Sequence, residues 1–399
     1  MKCGKLKNGW KYIFDPNPCL KNVTILVLFA TGSIDETPTE KGIAHFIEHL
    51  FFQGADITQT IYKLGGEINA FTSYNYTGYY IKIDKHYLED ALKVLSKMFF
   101  KSRFTPAAVQ HEKAIVIQEN SKHDSEPARL LNDLSNSLVY QGTPLENNIG
   151  GYEAQIRGFT RQMVLDYLSK NYGNAVVSLV GNARDSSSLR LLNKYLGKPN
   201  WYATPCPKLY PCIGVQLAPS IKLIKRDFEE VYIGVTFPVA DMYQEKEIAM
   251  TDIIGVVVAG NMHSRLFMKL REKKQYTYSI KCYANHYQIG GDLSIQCGTQ
   301  SKYIKLVIAD ILEELYGFKM TAREFTEAIN YTLGQLMLNM EDSKEVAFYQ
   351  AYQYVYMDKC RKMEDEIALY RQLTLKDVNA YAARIFDMKK INIAIIAGN

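Results

Sequence analysis

The chain matches itself. When it is displaced by 216 residues, Leu50-Phe51 falls on Leu266-Phe267, Thr105 on Thr321 and Glu119 on Gln335. Towards the C-terminus the offset drifts by a residue or two. Phe159-Thr160 then resembles Leu373-Thr374, and the run VVSLVGN from Val176 resembles IAIIAGN from Ile393. Several matches in order, at nearly one offset, point to a duplicated domain, so one architecture has to serve both copies. The copies are expected at 1–199 and 220–399. The segment 200–219 between them reads as a linker, because Pro205, Pro207, Pro211 and Pro219 fall within it and Pro199 just before it.

Within a copy the patterning is mixed. Val23 to Phe29 is a strand-like apolar run, and Val231 to Phe237 is its counterpart. Thr37-Pro38-Thr39-Glu40 has the form of a capping box with Pro at the first helical position. Ile43, Ala44, Ile47, Leu50 and Phe51 follow at helical spacing, with Gly54 as the stop. Gly65-Gly66 closes a second short helix, residues 67–83 read as two strands joined near Asn75, and Thr105-Pro106 opens a helix through about Ser121. Strands and helices do not alternate regularly. The expected class is α+β: two homologous domains, each a mostly antiparallel sheet with helices packed on it.

Composition narrows the function classes. Apolar residues make up 47% and charged residues 22%, enough for a sizeable core and against disorder. The net charge of +5 is spread along the chain without a basic stripe or a reading motif, so no nucleic-acid partner is expected. Seven cysteines, odd in number and without a CxxC pair, read as free thiols in a reducing compartment. Met1-Lys2-Cys3-Gly4-Lys5 is not followed by an apolar signal core, and no apolar run approaches the roughly 20 residues that span a bilayer. A cytoplasmic protein with no membrane partner is the expectation.

The chemistry concentrates in His45-Phe46-Ile47-Glu48-His49. Residues four apart on a helix share a face, so both imidazoles can reach one cation, with Glu48 beside them. Two neutral imidazoles and a carboxylate suit Zn2+ and leave a fourth position for water. A nearby carboxylate can take the proton from that water. The Thr105-Pro106 helix offers Glu112 and Glu119, which lie two turns apart on one face. One of them can bind the metal and the other can support it. At the 216 shift His45, Glu48, His49 and Glu119 become Asn261, Ser264, Arg265 and Gln335. Only the first copy should hold metal, one Zn2+ per chain.

HFIEH followed by the Glu112/Glu119 pair in EKAIVIQEN resembles the pitrilysin-type inverzincin metallopeptidases, which include insulin-degrading enzyme and the mitochondrial processing peptidase. Gly65-Gly66-Glu67-Ile68-Asn69-Ala70-Phe71-Thr72 is similar to that family's GG-x-x-NA segment. Ser264-Arg265-Leu266-Phe267, Leu270 to Lys273 and Tyr276 to Ser279 are similar to its second-half signature. The resemblance implies that Glu119 is the third zinc ligand, Glu112 its helper and Glu48 the general base. It implies that Arg271 and Tyr278 donate hydrogen bonds to the developing oxyanion or substrate carbonyl, and that Asn69, Ala70, Phe71 and Thr72 form a strand edge for an extended peptide. Long members of the family close a chamber with four such domains. The two-domain form therefore implies a homodimer with composite sites that cleaves peptides or unfolded segments as a zinc endopeptidase. A heterodimeric leader-processing subunit and a non-catalytic substrate-holding member are the alternatives. Two stretches depart from the pattern. Gln141-Gly142-Thr143-Pro144-Leu145 replaces a His-Pro-Tyr-like segment, and Lys274-Gln275-Tyr276 stands where a Gly-Leu pair is usual.

Overall fold

The computed structural model describes residues 1–53, 56–199, 210 and 218–398. The expected linker 200–219 lies outside the described residues except for Tyr210 and residues 218–219, and so does the helix stop at Gly54. Two compact units are present. One is built from Met1–Asn120, 148–199 and Met337–Lys362, the other from Ser121–Asn147, 218–336 and 363–398.

The first unit holds a six-stranded sheet, with strands β1 (Lys2–Lys5), β2 (Lys11–Pro16), β3 (Asn22–Phe29), β4 (Glu67–Thr72), β5 (Thr77–Asp84) and β6 (Ala175–Gly181) in the order β1-β2-β6-β3-β5-β4. The second holds β7 (Ser220–Lys225), β8 (Val231–Val239), β9 (Thr277–Tyr287), β10 (Gly290–Thr299) and β11 (Asn392–Ala397) in the order β7-β11-β8-β10-β9. Apart from β1, the orders correspond strand for strand. Each sheet is antiparallel except for one pair, β2 with β6 and β7 with β11. Helices Pro106–His123 and Ala322–Asn339 are also 216 residues apart, end to end. The duplication and the α+β class both hold.

β3 shows why its sequence is an unbroken apolar run. Val23, Ile25, Val27 and Phe29 enter the main core beneath the helices, and Leu26 and Leu28 enter a second cluster on the opposite face. A strand covered on both faces has no polar side to show. The cover on the second face is the helix Ser343–Met357, which lies in the second half of the sequence but packs on β3 and β6. Its partner at the 216 shift, the helix Pro127–Val139, packs on β8 and β11 of the other unit. The two copies thus exchange one helix each. Thr24 and Ser343 hydroxyls meet at 2.7 Å, and Lys82 pairs with Asp342 at 2.9 Å. In the second unit Tyr283 and Gln296 both donate to the Asn132 side-chain oxygen at 2.5 Å. A chain without Ser343–Met357 would expose Leu26, Leu28, Val176 and Val180. Each such side chain is worth roughly 1.5–3 kcal/mol when fully buried.

The cysteine expectation needs correction. Cys3 of β1 is bonded to Cys360, just beyond the exchanged helix, at a sequence separation of 357. Cys19, Cys282 and Cys297 are free thiols, and Cys206 and Cys212 lie outside the described residues. The pairing follows from the exchange, which brings the end of the second-half helix to the first strand. No helix among the described residues is long and apolar enough to cross a membrane.

Candidate metal centre

His45, Glu48 and His49 lie on the helix Ile43–Phe51. Its buried face carries Ile43, Ala44, Phe46, Ile47, Leu50 and Phe51, which hold it in the core and leave the two histidines and Glu48 on the opposite side. The expected capping box at Thr37–Glu40 forms a local turn instead, with the Thr37 hydroxyl donating to Glu40 at 2.7 Å. The helix begins later, after Gly42. Gly42 adopts φ 92° and lies so close to the Gly150 carbonyl that a Cβ would stand 2.6 Å from its oxygen. The cap comes from Glu36, whose buried carboxylate accepts the N–H groups of Gly42 at 2.9 Å and Ala44 at 3.0 Å. A carboxyl group at a helix N-terminus satisfies orphan donors; burial pushes the Glu36 pKa up to about 8, against the pull of these two N–H groups. Nothing in the spacing of Glu36 signals this role.

The helix Pro106–His123 supplies Glu112 and Glu119. One donor atom each from His45, His49 and Glu119 lies within 4.8 Å of the others. His49 Nε2 stands 3.0 Å and His45 Nε2 3.9 Å from the Glu119 carboxylate. Around one tetrahedral zinc, with ligand bonds of about 2.0–2.1 Å, donors stand roughly 3.3 Å apart. The donor set and its spacing fit that ion. His49 Nδ1 lies 3.1 Å from Glu112 Oε1, and Gln53 donates to the other Glu112 oxygen at 2.6 Å. A carboxylate on Nδ1 fixes the tautomer that presents Nε2 to a metal. Burial disfavours charge on His49, but Glu112, Glu119 and Glu48 outweigh it and raise its pKa. Burial likewise opposes charge on Glu112, and the bonds from His49 and Gln53 overcome it, leaving its pKa lowered.

Glu48 is not in the ligand set. Burial raises its pKa, and the Thr72 hydroxyl, donating to Oε2 at 2.5 Å, and the neighbouring His49 only partly offset this. Beside Glu48 and His49 opens a cavity of 610 Å3, walled by Phe52, Tyr62, Ile68 and His111. β4, which carries Asn69, Ala70, Phe71 and Thr72, is the edge strand of its sheet. Arg271 and Tyr278 belong to the other unit and lie together there. The guanidinium sits 5.1 Å from the centre of the Tyr278 ring, and Tyr278 is 79% exposed. The residues that sequence reasoning missed include Glu36, Gln53 and the wall residues Phe52, Tyr62 and His111. Thr72 was singled out, but only as part of a peptide-binding edge.

A duplicated α+β chain with a His-x-x-Glu-His helix and a distant carboxylate defines a metallopeptidase-like class. The chain belongs to the M16, or pitrilysin-type, peptidase family. Residues 13–152 match the model described as insulinase (peptidase family M16), and residues 158–331 match the one described as peptidase M16 inactive domain. An uncharacterized zinc protease of Bacillus subtilis is 28% identical over 95% of this chain and 94% of its own length. A protease of Helicobacter pylori shares the fold with a TM-score of 0.89 at 20% identity, over 99% of this chain and 98% of that one. The first half of the periplasmic protease PqqL of Escherichia coli aligns over all of this chain and 92% of that one, with a TM-score of 0.79 and 16% identity.

Proposed function

We propose that the protein is a zinc-dependent endopeptidase acting on peptides or unfolded segments, with His45, His49 and Glu119 holding one Zn2+ per chain. The observation that carries this reading is the convergence of two imidazoles from one helix and a carboxylate from another within 4.8 Å. Zinc held there supplies Lewis acidity to the scissile carbonyl and to the attacking water. Glu48 takes the proton from the water and returns it to the leaving amine. Glu48 stands beside the ligand set without joining it, where a carboxylate can accept that proton and release it. Glu112 holds His49 in the required tautomer. An extended peptide pairs with the free edge of β4 at Asn69–Thr72, so that main-chain bonds supply most of the affinity. The cavity beside Glu48 receives a side chain next to the cleaved bond.

Arg271 and Tyr278 donate to the carbonyl oxygen as it gains charge. We assign them to the site of a second copy, so that the active form is a homodimer with two composite sites. The alignment of this chain with the first half of a larger protease supports that reading. Metal analysis together with cleavage of an unstructured fluorogenic peptide tests the assignment. One zinc per chain is expected, with cleavage abolished by Glu48→Gln; a zinc-free chain, or a Glu48→Gln protein as active as the parent, overturns it. For the dimer, Arg271→Ala mixed with Glu48→Gln should recover part of the activity, because one composite site then has both intact sets. No recovery in verified mixed dimers counts against the composite site.

A further inference from the structure

We propose that Thr72 is the positioning residue of Glu48, and that Tyr356, on the helix received from the second half of the chain, braces the turn that carries it. This rests on Glu48 being the general base.

A glutamate has three rotatable bonds, and a base that turns away from its proton is lost to the reaction. Glu48 is held by a side chain on another element. The Thr72 hydroxyl donates to Oε2 at 2.5 Å, so that oxygen is committed and Oε1 remains to take the proton. Thr72 is the last residue of β4, and its place depends on the turn that joins β4 to β5. That turn is bound on three sides. Ser73 N–H donates to the Tyr76 carbonyl at 2.8 Å, closing it. Ser33 and Ile34 donate their N–H groups to the Ser73 and Tyr74 carbonyls at 3.2 and 2.9 Å. The same short segment ends in Glu36, which caps the helix bearing Glu48. Gly32 lies against the turn so closely that a Cβ there would stand 2.3 Å from the Ser73 oxygen. From the third side, the Tyr356 hydroxyl donates to the Asn75 carbonyl at 2.5 Å.

Base and hydroxyl are therefore fastened to one frame, and one of its members comes from a residue 281 positions away from the turn. A peptide adding to β4 would use main-chain groups, which a change of the Thr72 side chain leaves in place. This separates positioning from binding. Loss of the hydroxyl should lower kcat and leave KM, peptide affinity and zinc content unchanged.

The test compares Thr72→Val, Thr72→Ser and Tyr356→Phe in the zinc-loaded chain with a fluorogenic peptide. Metal content is measured on each protein. Peptide affinity is measured by titration in the Glu48→Gln background. Thr72→Val should lose about 10- to 100-fold in kcat, the scale expected for an ångström-sized misplacement. Thr72→Ser should recover to within about threefold of the parent, because it restores the same donor. Tyr356→Phe keeps the ring and should fall in between; it carries the test if Thr72→Val does not fold. Full activity in Thr72→Val, a serine variant as poor as valine, or a rise in KM at constant kcat overturns the proposal. A Glu48→Gln chain as active as the parent instead overturns the reading of the base, whatever Thr72 does.

Discussion

The helix that carries His45 and His49 and its counterpart in the second copy started from one sequence pattern and ended as different objects. In the first unit Ile43–Phe51 is a regular helix, launched by Gly42 in the left-handed region and capped by Glu36. In the second, the helical stretch ends at Gly260. Residues 261–264 form a turn, and the chain becomes helical again only at Arg265 before winding as a π-helix over Phe267–Lys273. Asn261 and Arg265, the equivalents of the two histidines, are not on one regular helix. Arg265 points into a cluster of its own, bonded to Glu324 at 2.6 and 2.8 Å, to Glu314 at 3.1 Å and to the Lys319 carbonyl. The Glu112 position is Ala328, buried in the core. The four-residue spacing of a metal pair has value only while the helix beneath it is regular. Where the histidines and Glu48 have no equivalents the helix is interrupted, and Arg265 joins an ion-pair network.

The contrast breaks most visibly at the metal. His49→Ala should reduce zinc from one per chain to a trace and lower peptide cleavage by at least about a thousandfold, since a catalytic zinc with two ligands is not retained. Arg265→Ala, the matching change in the second copy, should leave zinc content untouched. Elemental analysis of the two proteins side by side decides it. Zinc lost in both, or in neither, would mean that the copies do not differ in the way described.

A smaller effect sharpens the role of Glu112. Glu112→Gln leaves the three proposed ligands in place but takes the charged acceptor from His49 Nδ1. Such outer partners are worth about 10- to 100-fold in metal affinity. Competition with a chromogenic chelator should show a shift of that size, with the fold unchanged by circular dichroism.

How much of this was legible in the sequence depends on the range of the physics involved. The histidine pair could be read because four-residue spacing on a helix is a local rule, and Glu112 and Glu119 because a second helix carried two carboxylates on one face. The sheets could be read because strand patterns recur at the duplication offset. The capping box at Thr37–Glu40 misled because a Thr-x-x-Glu pattern also closes an isolated turn. Glu36, six residues before Gly42, reaches the helix start only through a conformation set by Gly42 and the segment around Gly150. The Cys3–Cys360 bond was out of reach for a similar reason. It requires the exchange of Ser343–Met357 for Pro127–Val139, and no pattern within either helix says which sheet it will cover.

The Arg265 network should show itself in the pH dependence of stability. Its guanidinium first, with the Thr321 N–H and hydroxyl beside it, holds the Glu324 carboxyl at about 2 against the opposing effect of burial, below the usual 4.5. A folded pKa that is depressed gives stability that is complete above the unfolded value and lost as pH falls towards the folded one. In Arg265→Ala the guanidinium's share of this contribution is gone, and the Thr321 bonds remain. The melting temperature should therefore lie about 2–4 °C below the parent at pH 6, the size expected when about 1 kcal/mol is removed from a domain of this length. That figure is reduced from the full shift because the pair is partly exposed to solvent. The gap should narrow as pH falls from 4.5 towards 2.5. A gap independent of pH would place the loss in packing over Phe318, on which the guanidinium rests 4.7 Å from the ring centre, and not in the ion pair.

The smallest expected effect lies at the turn before β9. Gln275 holds φ at 54°, a left-handed conformation that a side chain disfavours, where the family more often has a Gly-Leu pair. Tyr276 N–H donates to the Leu270 carbonyl at 2.9 Å and closes the turn, so the conformation is imposed by the end of the π-wound helix. Gln275→Gly should relieve the strain in the folded chain but also gives the unfolded chain more freedom, and the two oppose each other. The balance should favour glycine by about 0.5 kcal/mol. It would appear as a rise in melting temperature of about one degree with zinc content unaltered. A fall in stability would mean that the Gln275 side chain contributes more than its backbone loses, and that the second copy has adapted to the departure and does not merely tolerate it.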